Sequence, residues 1–123
     1  MSAQNFTALV LAARTTSING SDLDSMSGIG ATVVIDITAI TGTTPTATFT
    51  VEGRDEVSGK YYTILASAAL NTVATTVLRI YPGLTAAANV TASSLIPKTF
   101  RVTCTITGTT PAVTATVGVA LHD

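Results

Sequence analysis

A chain of 123 residues, 46% hydrophobic and only 11% charged, is one domain by length and can bury roughly two thirds of its unfolded surface. Six Lys plus Arg against seven Asp plus Glu leave a net charge of −1, and the cations Arg14, Arg54, Lys60, Arg79, Lys98 and Arg101 are scattered singly. That excludes the clustered basic surface by which nucleic acid is bound. An ordinary soluble domain carries about 25% charge. Either part of this surface is covered by other subunits, or solubility rests on hydroxyls, since threonine makes up roughly a fifth of the chain. So little charge favours an assembly component over a free monomer.

No apolar run approaches the roughly 18 residues needed to span a bilayer, so no membrane segment is expected. The run "ALVLAA" at residues 8–13 has no basic stretch before it and is too short for a signal peptide. The sequons at Asn5, Asn19 and Asn89 are therefore read as unmodified. The lone Cys104 excludes an internal disulfide and fits synthesis in a reducing compartment.

Residues 6–13 read as the first strand. The following "TTSINGSDLDSMSGIG" (residues 15–30) is the longest irregular stretch, polar but for Ile18, Leu23, Met26 and Ile29. Apolar residues in a polar loop suggest a segment that docks, either on the chain's own core or on a neighbour. With Phe6 from the N-terminal arm, these four are the candidate assembly contacts. Residues 1–30 are accordingly set apart as an arm and loop, and residues 31–123 as the body of one domain.

In the body the dominant period is two. After a strand at residues 32–40, "TATFTVEG" puts Ala47, Phe49 and Val51 on one face and Thr46, Thr48, Thr50 and Glu52 on the other. "DEVSG" is a turn into a strand at residues 60–65, and another strand follows at 76–81. Residues 85–98 have neither period and read as a long connection with at most one helical turn. Phe100, Val102, Cys104 and Ile106 then alternate with polar residues, and Val113, Ala115, Val117, Val119 and Leu121 share a face. Such alternation marks antiparallel strands with one face in the core. The fold class is all-β: an antiparallel sandwich, jelly-roll or immunoglobulin-like, of about seven to eight short strands. Phe49, Val51, Phe100, Val102, Ile106 and Val117 are expected in its core.

"ITGTTP" occurs twice, at residues 40–45 and 106–111. A flexible Gly and a Pro that cannot donate to a ladder suit a hairpin loop or an edge, so the repeat predicts a repeated hairpin. After the proline the two copies share phase, but before it they differ by one residue. A one-residue slip reverses every side chain, so one copy must hold a bulge or a different register, or the first strand is buried on both sides. We read the repeat as similar turn chemistry reached twice rather than as a duplication.

No constellation points to catalysis. The only histidine, His122, is out of phase with the core, whereas Cys104 is in phase with it and reads as packing. There is no nucleophile triad, phosphate loop or Cys/His metal cluster. Asp22 and Asp24 fall short of a calcium loop and suit a turn, or a capping pair of Ser21 with Asp24. Asp55 and Glu56 flank a turn, where solvated carboxylates are ordinary; Tyr61, Tyr62 and Tyr81 read as core and edge packing. No catalytic, metal or cofactor-binding residue is assigned, and no enzyme or cofactor is expected.

The chain nevertheless resembles a family of small β-rich virion proteins of tailed bacteriophages. The resemblance is carried by "VVIDIT" (33–38), "FTVEGRDEVSGKYYTILASA" (49–68), "LRIYPGL" (78–84) and "PKTFRV" (97–102), and spans about residues 30–121. It implies a non-enzymatic structural protein, most simply a decoration or cement protein on the outer capsid surface. It would be made in the bacterial host cytoplasm and assembled onto the virion. The major capsid protein or other virion proteins would be its partners, and a homo-oligomer, with a trimer favoured, its state. A neck, tail or baseplate component is the alternative within that class. A carbohydrate-binding or adhesin module on the particle is the alternative outside it, and the 5% aromatic content argues against that one.

Overall fold

The structure, a computed structural model, describes residues 4–123, so the first three residues of the arm lie outside it. The chain runs β1 (Gln4–Arg14), β2 (Ile18–Asn19), β3 (Leu23–Asp24), β4 (Gly30–Arg54), β5 (Tyr61–Ala66), β6 (Ala74–Ile80), β7 (Thr91–Ala92) and β8 (Thr99–His122). There is no helix among the described residues; within residues 85–98 the chain closes a single turn, the Val90 and Thr91 N–H groups donating to the Ala87 carbonyl at 3.1 and 3.0 Å, and then forms the short β7. Two of the strands are long, 25 residues in β4 and 24 in β8.

β4 and β8 pair antiparallel along their whole length, from Gly30 opposite His122 to Gly53 opposite Phe100. On one half of this ribbon the order is β1-β8-β4-β6-β7; on the other, β2 and β3 lie on β8 and β5 lies on β4. All pairs are antiparallel except β6 with β7. In both halves one face is fully buried: Val33, Ile35 and Val117 on the first, Val51, Phe100 and Val102 on the second are all 0% exposed. With no helix available, only the other half of the sheet can cover such a face. The ribbon therefore folds over on itself into two layers, and residues of both halves share one core cluster. The expected core is found there, with Ile106 at its margin.

The fold-over answers the repeated motif, and corrects the reading of it. Neither "TGTTP" is a hairpin loop. Both lie inside the long strands, opposite one another, with Thr41 facing Ala112, Thr43 facing Thr109 and Thr46 facing Thr107. The two copies mirror each other in detail. Gly42 and Gly108 have φ of +120° and +122°, and Thr44 and Thr110 have φ of +47° and +45°. A Cβ on Gly42 would lie 2.8 Å from the Thr110 carbonyl oxygen, and one on Gly108 2.9 Å from that of Thr44. Two strands that change layers at one point need glycine where they cross and positive φ to turn the corner. Turn chemistry suits a corner as well as a hairpin.

The phase slip between the copies is a bulge. Ile37 pairs with Ala115 and Ala39 with Thr114, which leaves Thr38 as the extra residue in β4. The offset lets one inward set of β4 meet both phases of β8: Val33, Ile35 and Ile37 face Val119, Val117 and Ala115, and beyond the corner Ala47, Phe49 and Val51 face Ile106, Cys104 and Val102.

Candidate functional site

At the end opposite the fold-over, the two layers are closed by loops. Residues 15–30, expected to be irregular, run along the edge of β8 and are stitched to it by short pairs. Ile18 lies opposite Cys104 and Leu23 opposite Phe100. The Gly20 N–H donates to the Val102 carbonyl at 2.8 Å and the Ser25 N–H to that of Lys98 at 2.8 Å. The Ile106 N–H donates to the Ser17 hydroxyl at 2.9 Å. The segment then crosses to the other layer, where the Ile29 N–H donates to the His122 carbonyl at 2.7 Å.

The five candidate contacts do not form one patch. Phe6 and Leu23 are partly buried and pack against the core. Ile18 is half-exposed on the β8 edge, lining an open cleft of about 220 Å³ together with Leu9, Val10 and Arg14 of β1. Met26 is 57% exposed and Ile29 half-exposed, and they belong to the loop end. There Ile29 accepts a hydrogen bond from the Ile96 N–H at 2.8 Å, which brings in Leu95, 63% exposed. Met26, Ile29 and Leu95 are thus the apolar residues of the closed end.

This end is held in a strained shape. Met26 and Ser27 have φ of +51° and +63°, uncommon for side chains of either kind. The Met26 N–H donates to Asp24 Oδ1 at 2.7 Å, and Lys98 Nζ lies 3.4 Å from Asp24 Oδ2. The Met26 N–H, with Lys98 beside it, holds the Asp24 carboxyl below its ordinary range. Asp24 therefore serves a turn; the Tyr61 hydroxyl donates a hydrogen bond to Asp22 Oδ1 at 2.6 Å. Among the described residues no three His, Cys, Asp or Glu side chains gather to hold a metal.

Several residues that sequence reasoning passed over are organised by the sheet. Arg101 stacks on the Tyr61 ring at 3.5 Å and its Nε donates to Glu52 Oε1 at 2.9 Å. With Asp22 on the same tyrosine, this network ties the loop to the outer face of the second layer. One face of the Tyr61 ring is occupied by the guanidinium, and the Tyr81 hydroxyl donates to the Asp123 carbonyl at 2.6 Å. Val57 stands 95% exposed at the tip of the "DEVSG" turn, whose Asp55 accepts from the Ser58 hydroxyl and the Val57 and Ser58 N–H groups and is held below its ordinary range. An apolar residue in an otherwise polar turn was the signal for Val57. Leu95 lies in a stretch without period, where alternation gives no signal. His122 is bonded to the Thr32 hydroxyl at 2.8 Å, away from Cys104, which is 3% exposed in the core.

Fold and surface together define a small two-layer all-β protein with an apolar, strained, loop-closed end. No family model matches the chain, and no curated protein does. Among solved structures the chain is similar to one in the structure of infectious bursal disease virus Gx strain, with 10% identity and a TM-score of 0.48. The match covers 98% of this chain and 32% of that one, so this chain spans about a third of the neighbour's length. Likeness of this degree leaves function to be argued from the chain's own residues.

Proposed function

We propose that the chain is a non-enzymatic virion structural protein, and specifically a decoration protein that binds the outer surface of a tailed-phage capsid as a closed oligomer, most simply a trimer. The observation that carries the reading is the exposure of Met26, Ile29 and Leu95 at one end of a domain with only 11% charge. A monomer gains nothing by holding an apolar end in a strained backbone. An assembly component covers it on docking. The resemblance over residues 30–121 supports the phage setting and names the partners as the major capsid protein or other virion proteins. The occupied face of Tyr61 weighs against a sugar platform.

Mass spectrometry and cryo-EM of purified particles test this directly. The expected outcome is the chain in stoichiometric amount, with its density on the outer shell around local symmetry axes. Density at the neck, tail or baseplate would keep the virion role and replace the decoration role. Absence from the particle would remove both.

A further inference from the structure

We infer that Arg14 is a lock that holds β1 in a bulged form with which a second copy's β1 cannot pair. β1 is the terminal strand on its side of the sheet, and its middle, Ala-Leu-Val-Leu-Ala at residues 8–12, carries no charge. It reads the same from either end, so an antiparallel copy would set like against like. An apolar, uncharged edge of this kind is a template for uncontrolled pairing.

The strand is not regular, however. Thr7 pairs with Gly118 and Leu9 with Val117; then Ala12 pairs with Ala115, so β1 takes an extra residue in each interval. Alternation breaks, and Val10 and Leu11 are both exposed, at 65% and 60%. Bulges leave ladder carbonyls without N–H partners. Here side chains supply them. Arg14 Nη2 donates to the Val10 carbonyl at 2.6 Å, and Nη1 to those of Ala115 at 3.2 Å and Ala12 at 3.3 Å. The Thr116 hydroxyl donates to the Leu9 carbonyl at 3.1 Å. Three β1 carbonyls in the bulged stretch are thereby tied down by side chains, two of them through contacts shared with β8, and the extra residues are held out of regular register. The guanidinium reaches the three carbonyls from two nitrogens held in one plane, whereas an ammonium would have to reach all of them from a single nitrogen on a flexible stem. Because Arg14 is committed in this way, it is not a free cation for a ligand in the adjoining cleft. The inference rests on the fold alone and is independent of the proposed virion role.

The test compares wild type, Arg14→Ala, Arg14→Lys and the double variant Arg14→Ala/Val10→Lys by sedimentation velocity and thioflavin T across a concentration series. Arg14→Ala should form higher-order, thioflavin-positive species at a concentration at least about tenfold below any such onset in wild type. Arg14→Lys should move the same way by less, and it keeps the test open should Arg14→Ala fail to fold. The added Val10→Lys should restore wild-type behaviour, because a charge on the edge blocks pairing. Onsets for both single variants equal to wild type, or association that Val10→Lys leaves unchanged, would overturn the inference.

Discussion

Cys104 shows how far a single residue can be read from pattern. Period two put it with Phe100 and Val102, and there it sits, with burial pushing its thiol from the ordinary 9.0 up to about 11. A thiol that stays protonated is a poor nucleophile, so native protein should resist thiol reagents that label the unfolded chain. Cys104→Ala should cost about 1 kcal/mol by denaturant titration. Because the folded pKa is the higher one, the neutral thiol's contribution is complete below pH 9 and is lost as pH rises through about 11. Cys104→Ala should therefore flatten the alkaline limb of the stability profile. Other residues were illegible for a physical reason. The contacts of Tyr61 with Arg101 and Asp22 join three separate elements, and no local period encodes such a meeting. Strain was equally silent. Thr44 and Thr110 are β-branched residues in a left-handed conformation, which costs on the order of 1–3 kcal/mol each. Thr44→Asn should recover about 1 kcal/mol and raise Tm by a few degrees.

Among elements, alternation identified the strands well, because burial of one face imposes period two whatever the topology. What it could not supply was continuity. Gly followed two residues later by Thr-Pro offers positive φ and a missing donor, and a hairpin and a layer-changing corner both require these. Only the partner strand decides between them, and each "TGTTP" has the other as its partner. The distinction has a measurable consequence. In a solvent-exposed hairpin loop, a Gly→Ala change meets only the backbone penalty of about 1 kcal/mol. At the corner, a Cβ at Gly42 or Gly108 also meets backbone atoms of the facing strand within 3.0 Å. Gly42→Ala and Gly108→Ala should each cost roughly 2–4 kcal/mol, and by similar amounts, since the two environments mirror each other. A loss below about 1 kcal/mol at either site, measured by urea unfolding, would restore the hairpin reading at that site.

The whole molecule is a ribbon folded into a sandwich and closed at its far end by loops. Of the five residues chosen from sequence as assembly contacts, the fold leaves Met26 and Ile29 together at that end, adds Leu95, and turns Phe6 and Leu23 toward the core. Low charge is what composition offers to the proposed docking role; which surface would serve it depends on where loops from two layers meet. An apolar contact there should respond weakly to salt, since screening acts chiefly on exposed charges. The exposed Lys98–Asp24 pair at the same end is the part that salt would reach. The most direct measurement is cosedimentation of wild type and Leu95→Asp with particles lacking this protein, at low and high ionic strength. The account predicts that wild type pellets with the particles at both, with occupancy changing less than about twofold, while folded Leu95→Asp stays in the supernatant. Failure of wild type to bind at either ionic strength, together with a monomeric mass in solution, would contradict it.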